Sequence, residues 1–232
     1  MLVTLADLNI CIENRHPYTA QLCRDYLAEN AAADFCVSAT EAEILAEDCG
    51  RDMPGYAESL AIYRKIAEEI VGYDGFLMHG VVLEVQGRGI AFLARSGVGK
   101  STHAALWRER MGEAVTIING DKPLVRFIGD TPYAYGTPWA GKEGWNKNAR
   151  TPLSSVCFLT RSDENIALPM PKEDVLLSLL PQVYIPQDGQ KAPLLFDLLA
   201  RFIEGVEFYS VRCNKSREAA DVCYRALFAE GK

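Results

Sequence analysis

The sequence predicts an α/β fold: a mixed sheet in which an antiparallel hairpin leads straight into a glycine-rich loop, with helices flanking the strands. Three observations carry this. Residues 76–85 and 90–94 are short apolar runs around Gln86-Gly87-Arg88-Gly89, a hairpin signal. Ala94-Arg95-Ser96-Gly97-Val98-Gly99-Lys100-Ser101 follows the second run and opens a helical stretch to about residue 111. Beyond it, helix-length and strand-length apolar segments alternate to the end of the chain.

Taken in order, residues 5–12 read as a strand, 18–28 as a helix, and 41–46 as a further short segment. A longer helix over 56–71 places Tyr56, Leu60, Tyr63, Ile66, Ala67 and Ile70 at the 3.6-residue period of one buried face. Residues 1–75 therefore form either a small covering subdomain or the outer elements of one domain with 76–232, since no Pro/Gly/Ser linker separates them. After the hairpin and the loop helix come strands at 115–118, 124–128, 133–137 and 153–159. Helices at 172–180 and 193–203, a strand at 206–211 and a closing helix at 216–228 complete the reading.

Composition bounds the function. The 232 residues are 49% hydrophobic, and Lys plus Arg (24) fall short of Asp plus Glu (31) for a net charge of -7. With a pI near 5.1 the chain repels polyanions, so nucleic acid and anionic membrane surfaces are not expected partners. The seven cysteines, at 11, 23, 36, 49, 157, 213 and 223, form no CxxC pair, and no basic start with an apolar run opens the chain. Reduced thiols in a cytoplasmic protein are the expectation.

The strongest motif is the Walker A pattern from Ala94 to Ser101, with Ala in the first, usually Gly, position. Gly97 and Gly99 let successive backbone amides converge on phosphate oxygens, and the following helix adds its positive end. Arg95, Ser96, Gly97, Val98, Gly99, Lys100, Ser101 and Thr102 are thus the expected ATP-binding residues, with Lys100 at the β/γ-phosphates and the Ser101 hydroxyl on Mg²⁺. A second metal ligand is expected at a strand end, and the next strand closes in Ile118-Asn119-Gly120-Asp121. Asp121 is the candidate; Asn-Gly-Asp is also a good tight turn with no chemistry. Only a short turn joins the two strands before the loop, whereas parallel neighbours need a crossover of about a dozen residues or more. Ras-like, ABC-type and nucleotide monophosphate kinase topologies are disfavoured.

His79-Gly80-Val81-Val82-Leu83-Glu84-Val85, the glycine turn, Ser96 to Ser101, Arg110-Met111-Gly112 and Gly120-Asp121 together resemble the HPr kinase/phosphorylase catalytic core, which is related in fold to ATP-dependent phosphoenolpyruvate carboxykinase. The resemblance covers about residues 75–130. It implies ATP in the loop, Asp121 as base and metal ligand, and His79 assisting it. Gly120-Asp121-Lys122 stands where that family has two adjacent Asp residues, and Thr102 where it has Glu, so one carboxylate serves alone or another comes from elsewhere. The chain looks like a small divergent relative, of a kind sometimes associated with peptide modification.

Residues 135–150 carry two of the three tryptophans, three glycines and the cations Lys142, Lys147 and Arg150. This segment is expected to be either a substrate-facing loop, with Lys142 foremost at the transferred phosphoryl group, or a loop held by its own tryptophans. Two functions follow. The first is a Mg-ATP-dependent kinase using His79, Asp121, Lys100 and Lys142, with a Ser-containing protein, peptide or small molecule as acceptor. The second is a nucleotide-binding regulatory or scaffold protein of a peptide-modification system. A homo-oligomer is compatible with either.

Overall fold

A computed structural model describes residues 1–47 and 53–228. The chain begins with a hairpin, β1 (Leu2–Leu5) and β2 (Leu8–Glu13), where a single strand was expected. Ala6 and Asp7 both adopt positive φ, 53° and 58°, which makes the two-residue turn that splits it. The expected helix over 18–28 is only one and a half turns, α1 (Pro17–Leu22), because Cys23 leaves the helical path and a 3-10 turn follows. β3 (Phe35–Ser38), not anticipated from sequence, runs parallel to β2 and completes a three-stranded sheet.

α2 (Glu41–Ala46) starts with a capping box in which the Thr40 hydroxyl accepts from the Glu43 N–H and the Glu43 carboxylate accepts from Thr40. α3 (Pro54–Glu69) begins with Pro in the first turn and buries Ile62, Tyr63, Ile66 and Ala67, close to the face its periodicity predicts. That face packs on the small sheet, and the same cluster takes in Leu124, Tyr135 and Trp139 from the rest of the chain. The first 73 residues thus own a sheet but share a core.

The large sheet is built around β4 (Gly75–Leu77), β5 (Val81–Val85) and β6 (Arg88–Leu93), then α4 (Lys100–Met111), β7 (Val115–Asn119), β8 (Leu124–Ile128), β9 (Thr131–Tyr135) and β10 (Arg150–Arg161). β11 (Ile166–Pro169), α5 (Lys172–Leu179), α6 (Lys191–Gly205), β12 (Glu207–Cys213) and α7 (Glu218–Phe228) follow. β5 and β6 pair antiparallel through a turn at Gln86 and Gly87, both at positive φ, as the sequence predicts. β10 is the junction of the sheet. Its first residues pair antiparallel with β9, and the rest lies parallel to β6 on one side and β12 on the other. The sheet is mixed, and the ends of β6, β10 and β12 emerge side by side at one edge. Trp107 of α4 is buried with Phe92 beneath that edge, and α5 and α6 cover the other part of the sheet.

Candidate functional site

β6 delivers the chain to the glycine loop at this edge. Gly97 and Gly99 sit at φ of 79° and 128°, conformations that side-chain-bearing residues avoid. They turn the chain so that α4 begins at Lys100 with no side-chain cap, which leaves the positive dipole end of the helix at the loop. Arg95, Ser96, Gly97 and Thr102 are exposed, Val98, Gly99 and Ser101 half-buried, and Lys100 buried.

Lys100 folds back over the loop. Its Nζ donates to the Ala94 carbonyl at 2.9 Å and lies 3.2 Å from His79 Nε2. Burial lowers its pKa, against the nearby Asp121 charge, which favours the ammonium. His79 Nε2 is also 3.3 Å from Asp121 Oδ1. Burial alone would raise the Asp121 pKa, but the His79 hydrogen bond and the charges of His79, Lys122 and Lys100 more than offset it, and the carboxyl sits below its ordinary value. Lys100, His79 and Asp121 therefore meet at one point, although they come from α4, the end of β4 and the turn after β7.

The turn holding Asp121 is fixed by a residue the sequence reading passed over. The buried Asn119 side chain accepts from the N–H groups of both Asp121 and Lys122, at 2.9 and 2.8 Å, and donates to Thr137. Lys122 in turn offers its carbonyl to Tyr63 Oη and Thr137 Oγ1. The Asp121 carbonyl receives the Gly80 N–H at 2.8 Å, so the His-Gly pair and the Asp turn are joined by backbone as well as side chain. The turn chemistry of Asn119-Gly120-Asp121 and the placement of Asp121 in the cluster coexist.

Arg161 was also missed. From the end of β10 its guanidinium forks onto the carbonyls of Gly97 and Val98 and clasps the glycine loop from outside. No local pattern marks it; only the parallel pairing of Phe158 with Leu93 brings the end of β10 level with the loop.

The 135–150 segment takes the second of its two expected forms, a loop held by its tryptophans. Trp139 is buried against α3, stacked on Tyr63 at 3.9 Å and donating to the Ser59 carbonyl, while Trp145 lies beneath the Arg108 guanidinium. Each tryptophan anchors the loop to another element. Lys142, expected at the phosphoryl group, is instead 91% exposed and faces Glu143 at 3.9 Å. It rides the tip of a Gly141–Gly144 turn, which carries its side chain into solvent. Arg150 is committed elsewhere, to Asp7 and the Tyr133 and Tyr135 rings. The described cysteines are free; Cys157 and Cys223 lie with sulfurs 4.0 Å apart, and Cys49 falls outside the described residues.

Among the described residues no group of three or more His, Cys, Asp or Glu side chains could enclose a metal ion. The Ser101 hydroxyl and one ionised carboxylate, Asp121, are hard oxygen donors of the number Mg²⁺ takes when phosphate and water complete its shell. The donor set fits Mg²⁺. No described helix is long and apolar enough to cross a membrane.

No family model matches this sequence, and no curated protein does. Among solved structures the chain is similar to the Hpr(Ser) kinase/phosphatase from Coxiella burnetii, with 11% identity and a TM-score of 0.38, over 67% of this chain and 99% of that one. So distant a likeness leaves the chemistry to be read from the site itself.

Proposed function

We propose that the chain is a Mg-ATP-dependent kinase that transfers the γ-phosphoryl group of ATP to a hydroxyl, that of a Ser on a protein or peptide, or of a small molecule. The observation that carries this reading is the placement of His79 between Lys100 and Asp121 at the mouth of a glycine loop, its Nε2 3.2 Å from the lysine Nζ and 3.3 Å from an Asp121 oxygen. A lysine at the first turn of an uncapped helix suits a polyphosphate; a carboxylate kept ionised near it suits an acceptor proton.

In this reading residues 95–102 hold ATP, with Lys100 leaving the Ala94 carbonyl for the β/γ-phosphates and Arg161 stiffening the loop. Ser101 and Asp121 would hold Mg²⁺, which when bound would offset the phosphate charge. Asp121, positioned by His79 and Asn119, accepts the proton of the acceptor hydroxyl. The acceptor oxygen bonds to the γ-phosphorus, the bond from γ-phosphorus to the bridging oxygen breaks, and ADP keeps that electron pair. Residues 1–75 act as a covering unit that closes one side of the site through α3.

The scaffold reading keeps one supporting observation, the single carboxylate at 121 beside Gly120 and Lys122. Labelled γ-phosphate separates the two. Transfer to a Ser-containing acceptor, lost in Asp121→Asn with ATP binding intact, supports the kinase; ATP binding dependent on Lys100 with no transfer to any acceptor supports the scaffold.

A further inference from the structure

His79 faces Lys100 and Asp121 on one side and a cavity of about 260 Å³ on the other. The cavity lies between α3, the end of β4 and residues 181–184, and Leu60, Leu77 and Val183 give it apolar walls, with His79, Lys122, Gln182 and Arg64 among the polar groups beside them. Its position is set by backbone pairing: the His79 N–H donates to the Gln182 carbonyl at 2.6 Å, and the Tyr184 N–H to that of Leu77 at 3.0 Å. The cavity and the proposed proton acceptor are therefore rigidly coupled.

Gln182 is the informative residue. It is only 6% exposed, yet its Oε1 is buried with no hydrogen-bond partner. An unpaired buried acceptor is costly unless a donor supplied from elsewhere completes it. Gln182 also lines the cavity, where a bound donor would complete this oxygen.

We infer that this cavity is the acceptor subsite of the kinase proposed above, on which reading it rests, and that it takes a peptide segment whose Ser is flanked by an apolar residue. The apolar side chain fills the space between Leu60, Leu77 and Val183, a backbone N–H of the peptide donates to Gln182 Oε1, and the Ser hydroxyl reaches Asp121 past His79. The volume corresponds to a side chain and its adjoining backbone, not to a folded surface.

The test is a positional library of short Ser peptides with γ-labelled Mg-ATP. The wild-type protein is expected to select aliphatic residues beside the Ser. Gln182→Leu, which removes the acceptor at similar volume, and Leu60→Trp, which fills the space, should each lower kcat/KM for the selected peptide by about tenfold or more, while ATP still binds. Leu77→Trp replaces Leu60→Trp if thermal melts show that variant unfolded. Leu177→Ser, at an 80% exposed position on α5, serves as a control that changes nothing. Peptide phosphorylation insensitive to Gln182→Leu and to the tryptophan variants overturns the inference, as does phosphorylation of a polyol in preference to every peptide, or turnover of ATP with no peptide phosphorylated. Failure of the wild-type protein to bind ATP overturns the kinase reading instead.

Discussion

Replacing Asp121 by Asn removes a charge and a proton acceptor without changing shape. The carboxylate is 3.3 Å from His79 Nε2 and ionised well into the acid range, because His79, Lys122 and Lys100 together outweigh its burial. General-base catalysis contributes ~10²–10⁴-fold, so kcat for transfer should fall by that factor, or ~3–5 kcal/mol of barrier at 1.36 kcal/mol per tenfold. ATP affinity, measured by calorimetry without Mg²⁺, should hold or tighten, since Lys100 loses a competing anion. The pH profile gives a second readout. A base whose pKa is depressed is active above that pKa and fails as pH falls through it, so the acid limb due to Asp121 should lie below ~4, the ordinary Asp value, and vanish in the variant. Transfer by Asp121→Asn within threefold of wild type would sink the assignment of this residue as the base.

Other consequences can be checked separately. Lys100→Ala should weaken ATP binding at least about tenfold, a loss of ~1.4 kcal/mol, read by the same calorimetry. Lys142→Ala should leave transfer unchanged within about twofold, since its ammonium is in solvent; a larger loss with normal folding would return it to the site. Trp139→Ala should cost ~3–5 kcal/mol of stability in denaturant melts, because it deletes the stack on Tyr63 and the bond to Ser59. Gly136→Ala should also destabilise, by ~1–3 kcal/mol, since an added Cβ would lie 1.9 Å from the Lys147 carbonyl oxygen.

What the sequence made legible was local. The β5–β6 hairpin, the glycine loop and α4 follow from spacing and turn chemistry over at most about twenty residues, and α3 from its period. The misses share one cause. β3 has alternating burial over only four residues, too short for a pattern, and exists because β2 offers an edge for parallel pairing. β10 touches β9, β6 and β12 along one strand, which no local signal encodes. Arg161 and Gln182 acquire their positions only from that pairing and from the 181–184 segment. Lys142 was singled out because cations and glycines cluster in its segment, but composition does not say which way a turn tip points.

His79 Nε2 has two neighbours with opposite demands. The ammonium of Lys100, at 3.2 Å, can only donate, so that contact needs a bare Nε2; the Asp121 carboxylate, at 3.3 Å, can only accept, so that contact needs an N–H there. One nitrogen cannot serve both at once. In the proposed kinase, a phosphate that drew Lys100 forward would leave Nε2 free to donate to Asp121. Replacing His79 by Ala tests this coupling: it removes the donor to Asp121, so transfer should slow while ATP binds normally, and Gln at the same position, which can still donate to Asp121, should restore part of the rate. A His79→Ala protein with unchanged transfer would mean that the three groups meet without working together.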